Sequence, residues 1–386
     1  MAVARITRST FVSGLAAVPL AAAAAGPTYK VGTILSVTGP GGFLGDNMKR
    51  GAQLAVDEIN AGSGINGKKI DWIFYDAETQ STKGVTAARR LIEQDGVDII
   101  VGGGNASGIA LAIVPVVEKA SVPFISTEGA MAIVNPVAER AWTFKSTIDD
   151  DIILDRAADW WTKRGTTSIA LLHDTSGFGQ SAKEQLAKVA ERRKLRVVYE
   201  SFDPADTDLT AQLGRIKQTD AKVVLCWTIA PSGVVFLKQA AALGLSDRTI
   251  MNSYGFVDER YMKLAEGAAE GTYLLSTKFP VGADLPAKDS QKNRILALTK
   301  SYESRYNSKP NQFVAQTYDA INLAAQALKS GGNDRPKVRA ALEGIKGYPG
   351  VNATFSFSPT RHSGLNKTDA VIIVWKNGDF HLADYE

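Results

Sequence analysis

The chain of 386 residues is 45 % hydrophobic and 22 % charged, with one cysteine and three histidines. At roughly 100–200 residues per domain it has room for about two full cores, and a lone cysteine excludes an internal disulfide framework or a cysteine-built zinc cluster. The net charge of +4, about +2 once Arg5 and Arg8 are set aside, gives no broad basic face for nucleic acid or an anionic membrane.

Residues 1–25 carry Arg5 and Arg8, then an apolar stretch from Phe11 to an alanine tract ending at Ala25. A charged start, a short apolar middle and small residues at the end predict a secretory signal peptide. Gly14 and Pro19 interrupt the stretch, which falls short of the ~20 residues that cross a bilayer. The Thr7–Val12 segment is similar to a twin-arginine export signal, with Ser9 in place of the second arginine. No cysteine follows the stretch to carry a lipid. The expectation is a mature protein free in the periplasm, with no membrane anchor.

Beyond Tyr29, strands are predicted at Lys30–Val37, Ile70–Tyr75, Val97–Val101 and Pro123–Ser126. Helices are predicted between them at Asp46–Asn60, Ser81–Gln94 and Ser107–Ala120. Asp46 and Ser81 suit N-caps, and Gly62 and Gly96 suit helix stops. Met48, Ala52, Ala55 and Ile59 share one helical face, the pattern of a helix lying on a sheet. The alternation restarts with strands at Ser168–His173, Arg196–Phe202, Lys222–Trp227, Thr249–Asn252 and Gly271–Ser276. Its helices are Gln180–Lys194, Asp208–Gln218 and Pro231–Leu243. Two further helices, 288–307 and 313–329, precede a β-rich tail with a turn at Asn377-Gly378. The pattern predicts an α/β fold of two lobes, each a parallel sheet covered on both faces, divided near Lys145–Asp151.

Ligands of open α/β sheets bind beyond the carboxyl ends of the strands. The first strand leads into Thr38–Asp46, a glycine-rich turn carrying Phe43 and Leu44. The third leads into Gly102-Gly103-Gly104-Asn105-Ala106-Ser107-Gly108 and the fourth into Thr127-Glu128-Gly129-Ala130. Glycines admit close backbone approach, and a helix start carries partial positive charge, so 102–108 can cradle a carboxylate without lysine or arginine. Ser107 as a plain N-cap explains the same residues. Neither the dinucleotide fingerprint nor a P-loop is present. The second lobe's strand ends are aromatic: Phe178 after the first, Trp227 and Ile229 after the third, Tyr254 after the fourth. They suggest a cleft wall facing the cradle.

Catalytic patterns are weak. Gly-x-Ser-x-Gly is absent, and Cys226 sits in an apolar strand with nothing to make it a thiolate. His173 and Asp174 are adjacent on a strand and point to opposite faces. Asp149-Asp150-Asp151 suits a solvated helix start better than a metal site. No enzyme activity, metal or cofactor is expected.

The residues from Tyr29 to Trp375 together resemble the leucine/isoleucine/valine-binding family of type I periplasmic solute-binding proteins. The resemblance rests on Lys30-Val31-Gly32, Thr38-Gly39-Pro40, Gly45-Asp46, the run Gly51–Asn60 and Gly64-Ile65-Asn66-Gly67. It continues through Tyr75-Asp76, Gly102-Gly103 with Ser107, Val122–Ser126 and Phe178-Gly179. It implies two Rossmann-like lobes joined by three crossovers that close over one ligand, and delivery of that ligand to an ABC-importer permease. The expected lobes are 28–145 plus 278–353 and 146–277 plus 354–386, in a monomer. By the same resemblance, Ser107 and the backbone at Asn105, Ala106 and Glu128 receive a carboxylate. Phe178 and Phe313 then stand at aromatic positions beside the ligand. Tyr254 stands where the family has an acidic partner for an ammonium, and Ala130 where it has a threonine. These departures favour an aromatic acid such as a hydroxybenzoate over the alternative, a branched-chain amino acid, unless Glu128 supplies the missing negative charge.

Overall fold

The computed structural model describes Met1 and residues 28–385. The signal peptide expected at 1–25 therefore lies, Met1 apart, outside the described residues. No helix of the described residues is long and apolar enough to cross a membrane.

Five strands form the first sheet: β1 (Thr28–Leu35), β2 (Lys69–Asp76), β3 (Ile99–Gly102), β4 (Phe124–Ser126) and β5 (Thr143–Lys145), in the order β2-β1-β3-β4-β5 and all parallel. The connecting helices are α1 (Gly42–Ala61), α2 (Ser81–Glu93) and α3 (Ser107–Ala120). Strand residues alternate between two cores, as a doubly covered sheet requires. Ile34, Ile100 and Phe124 pack with Ile109 and Ile113 of α3. Val31, Val101 and Ile125 pack with Ala52 and Ala55 of α1 on the other side.

After α4 (Asp150–Lys163) comes the second sheet. It contains β6 (Ser168–Asp174), β7 (Arg196–Phe202), β8 (Val223–Trp227), β9 (Thr249–Asn252) and β10 (Tyr273–Thr277). Its helices are α5 (Gly177–Arg193), α6 (Thr210–Lys217), α7 (Ser232–Ala242) and α8 (Glu259–Ala265). The chain then returns to the first sheet: α9 (Lys292–Tyr306), α10 (Gln312–Gly331) and α11 (Arg335–Glu343) follow, and α10 lies along α1 and β3. A two-stranded ribbon, β11 (Tyr348–Pro349) and β12 (Thr354–Phe355), precedes β13 (Ala370–Lys376) and β14 (Asp379–Asp384), which join the second sheet antiparallel at β10. The order of that sheet is β14-β13-β10-β9-β8-β6-β7.

The segment between β12 and β13 lies on the first sheet. Phe357 meets Phe144 edge-on at 5.6 Å, His362 stacks on Phe144 at 4.1 Å, and Ser363 bridges to Lys145. The predicted N-cap Asp46 proves to be interior: α1 starts four residues earlier, behind Gly41, with no side-chain cap. Asp149-Asp150-Asp151, expected in solvent, differ as well. Asp149 is 4 % and Asp150 0 % exposed, the first paired with Lys145 four residues earlier and the second with Tyr254 and Ser181, far off in sequence.

Candidate functional site

The loops after β3, β4, β5, β6, β8 and β9 converge on one small chamber of about 40 Å³, closed by α1 and α10. Its first wall begins where β3 ends. Gly102, Gly103, Gly104 and Asn105 all have positive φ (109°, 151°, 76° and 65°), a run that glycine adopts at little cost. The turn packs against the carboxylate of Glu128 so closely that a Cβ on Gly103 would collide with it. Glu128 is 5 % exposed and accepts from four donors: Ser126 Oγ at 2.6 Å, Thr127 Oγ1 at 2.9 Å, and the backbone N–H groups of Thr127 at 3.0 Å and Asn105 at 3.2 Å. Burial pushes its pKa up, and these hydrogen bonds oppose the shift.

Two cradle expectations change here. The Asn105 N–H, expected to meet a ligand carboxylate, is committed to Glu128. The Asn105 side chain holds the end of β1, accepting from Ser36 N–H at 3.2 Å and donating to Ser36 O at 2.6 Å. Ser107 is the first residue of α3 rather than its N-cap, which is Ala106. Its Oγ accepts from Ala130 N–H at 3.1 Å, and as a hydroxyl it can also donate.

The second wall is a cluster of three rings. Phe178 lies 5.4 Å from Trp227 and 5.3 Å from Tyr254, and Trp227 lies 5.6 Å from Tyr254. Two of the three pairs are edge-to-face, a favourable arrangement of ring quadrupoles. The Tyr254 hydroxyl donates to Asp150 Oδ1 at 2.7 Å, and Ser181 Oγ bonds the other carboxylate oxygen while accepting from Met131 N–H at 3.0 Å. Burial raises the Asp150 pKa to about 6, against the opposing pull of the nearby Lys145 ammonium and of its two hydrogen bonds. Lys145, itself fully buried, pairs with Asp149 at 2.7 Å and donates to Gly129 O at 2.6 Å. Gly129 has no room for a side chain: a Cβ would strike the Tyr254 hydroxyl and the Phe178 ring. The two walls are therefore in direct contact.

Ser107, Asn105, Glu128 and Leu44 line the chamber from the first sheet's loops and α1, and Phe178, Ile229 and Tyr254 from the second sheet's loops; Phe313 of α10 joins them. Ala106 instead faces a larger outer groove. Ala130, fully buried, meets Ser107 through its backbone. Trp227, also fully buried, backs the other two rings and stands outside the chamber wall. Phe43 stands outside it too, 5.0 Å from Tyr261 and with the Arg260 guanidinium 4.7 Å over its ring. It clasps α1 to α8. Sequence reasoning missed Met48, Thr147 and Gln316, which also line the chamber. Gln316 lies one turn beyond Phe313, so helical spacing could have found it. Thr147 follows β5, a strand of three residues, and its buried Oγ1 has no hydrogen-bond partner among the described residues.

His173 and Cys226, the residues weighed for catalysis, are both buried. His173 Nδ1 lies 2.9 Å from Asp174 O, and burial lowers the ring's pKa. Cys226 is buried, and its thiol is pushed well above the usual range. Among the described residues no cluster of His, Cys, Asp and Glu could hold a metal ion.

Residues 28–379 match the family model described as periplasmic binding protein. The chain belongs to the periplasmic binding protein family. Its curated relatives include the leucine-, isoleucine-, valine-, threonine- and alanine-binding protein of Pseudomonas aeruginosa, 25 % identical over 88 % of this chain and 87 % of the relative. They also include Leu/Ile/Val-binding protein homolog 1 of Brucella suis, 29 % identical over 88 % and 89 %. Among solved structures, an extracellular ligand-binding receptor from Rhodopseudomonas palustris has a TM-score of 0.84 at 22 % identity, covering 92 % of this chain and 99 % of that one. The branched-chain amino acid transporter substrate-binding protein LivJ from Streptococcus pneumoniae, solved with isoleucine, has a TM-score of 0.79 at 25 % identity, covering 93 % and 100 %. The fold is thus the type I periplasmic binding protein fold. The family's members are extracytoplasmic solute-binding proteins of ABC importers, which bind a small molecule and meet a permease.

Proposed function

We propose that this protein captures an aliphatic α-amino acid of the leucine, isoleucine and valine class between its two lobes and presents it to an importer permease. The observation that carries the reading is a buried carboxylate, Glu128, on the same small chamber as Leu44, Met48 and Ile229. A zwitterion with an apolar body needs three things: negative charge for its ammonium, donors for its carboxylate, and apolar lining. Glu128 supplies the first as negative charge behind the wall, its own oxygens being bonded to four protein donors. The hydroxyls of Ser107 and Thr147 supply the second, and the aliphatic side chains the third. The names of the Pseudomonas, Brucella and Streptococcus relatives support the same class.

The aromatic acid, the first expectation from the sequence, fits less well. A benzoate brings only negative charge to Glu128, and the rings meant to sandwich it are packed on one another. Closure in this reading turns on crossovers after β5, after β10 and ahead of β13. Segment 354–365 then moves with the first lobe, because Phe357 and His362 pack on Phe144. In this reading the protein acts as a monomer in the periplasm, and the family supports the compartment.

Calorimetry of ligand-free protein against leucine, isoleucine, valine, 4-methylpentanoate and 4-hydroxybenzoate tests the reading. At least one of the three amino acids binds, and 4-methylpentanoate, leucine without its ammonium, binds at least tenfold more weakly than leucine. Binding of 4-hydroxybenzoate with no response to the amino acids overturns it.

A further inference from the structure

A chamber of about 40 Å³ holds only a few waters, at roughly 10–15 Å³ for each; a benzene ring occupies a cavity of about 150 Å³. An amino acid's ammonium and carboxylate can lodge there, but not a leucine side chain as well. Directly outside lies a groove of about 510 Å³. Leu44, Ser107, Phe178 and Ile229 line both spaces and form the partition between them. The groove runs between the starts of α3, α5 and α7 and the 203–207 loop, and its lining is mostly apolar, with Ala106, Pro204, Pro231 and Val235 on its walls.

One residue on the groove's wall carries a buried polar atom without a partner. Ser232, the first residue of α7, is 2 % exposed, and its Oγ has no hydrogen-bond partner among the described residues. A buried hydroxyl left unpaired is costly unless something bound there satisfies it. The charges on the groove have one sign. Asp174, Asp203 and Asp206 line it, and among the described residues no lysine or arginine does. Asp174 is already occupied, accepting from Ser176 N–H at 3.0 Å and Thr228 Oγ1 at 2.7 Å.

We infer that the ligand's charged head sits in the chamber while its side chain passes between Leu44, Phe178 and Ile229 into the groove. The receptor then takes, beside the leucine class, α-amino acids with longer side chains, whose far end carries no negative charge and accepts a hydrogen bond from Ser232. The inference rests on the amino-acid reading above and adds to it the size and end-group of the side chain. An anionic end is excluded by the three aspartates.

Calorimetry with leucine, 2-aminooctanoate, 6-hydroxynorleucine and 2-aminopimelate separates the two claims. 2-Aminooctanoate binds at least as tightly as leucine, and 2-aminopimelate at least about tenfold more weakly than 2-aminooctanoate. Ser232→Ala weakens 6-hydroxynorleucine about 3- to 10-fold more than it weakens leucine, the scale of one hydrogen bond. Gly108 lines the groove, and a Cβ placed on it meets nothing within 4 Å. Gly108→Leu therefore fills the groove without a clash at its Cβ, and weakens 2-aminooctanoate at least about tenfold more than leucine. If leucine binds and 2-aminooctanoate binds more weakly, the groove inference falls and the amino-acid reading stands. If no α-amino acid binds, both fall.

Discussion

On the first wall Glu128 gathers two backbone N–H groups and two hydroxyls, all from residues 105–127. On the second, Asp150 is as deeply buried but has only two hydroxyl partners, from Tyr254 and Ser181, 104 and 31 residues away. One carboxylate is fixed by a turn and a strand end of its own lobe. The other depends on side chains from separate elements and on a serine that reaches across to Met131. The first wall is held by neighbours along a short stretch of chain, the second by residues that the fold brings together from distant positions, with Ser181 alone of them reaching the other lobe through Met131 N–H.

Removing the ring that backs the second wall has the largest expected effect. Trp227→Ala deletes a fully buried indole against Phe178 and Tyr254 and lowers stability by about 3–5 kcal/mol. Denaturant unfolding followed by circular dichroism measures it, and a loss below about 1 kcal/mol means that the rings are not the wall's support. On the first wall, Ser107→Ala weakens ligand binding by about 1–3 kcal/mol, roughly 5- to 150-fold, because the ligand loses a donor in a buried site. An unchanged Kd leaves Ser107 with only its bond to Ala130 N–H.

The same contrast explains what could be read from the sequence. The strand–helix alternation was legible because periodicity is local, and so was the α3 start at Ser107, since glycines and a serine after an apolar strand leave few alternatives. Glu128 was legible as a strand-end residue, though its capture of the Asn105 N–H was not. Asp150 was placed rightly at a helix start, but its burial was misread: three aspartates in a row look solvated, and nothing nearby in sequence announces Tyr254 or Ser181. The start of α1 was placed four residues late, at Asp46, because the true cap position is Gly41, without a capping side chain. What sequence hides here is contact between distant elements.

Tyr254→Phe tests the hydrogen bond to Asp150 itself. It keeps the ring against Phe178 and Trp227 and removes only the donor to Asp150 Oδ1, so stability falls by about 1 kcal/mol, a typical net value for one hydrogen bond. A loss above about 3 kcal/mol assigns the ring's packing, rather than the hydroxyl, to the change.

The smallest effect expected is in the pH dependence of that carboxylate. Asp150 titrates at about 6 in the folded protein against an ordinary 3.8, so between those values the folded state holds a proton that the unfolded chain has released. Such a group lowers stability at neutral pH, and the penalty is relieved as pH falls through 6 towards 4. Asp319, raised to about 7 by burial, acts in the same direction, so the wild-type profile alone does not isolate Asp150. The difference between wild type and Asp150→Asn does. From pH 7.5 to 5.5 that difference shifts in favour of wild type by on the order of 1 kcal/mol, read from denaturant midpoints at each pH. A flat difference means that Asp150 stays ionised throughout, held by Lys145, and the second wall is then as firmly fixed as the first.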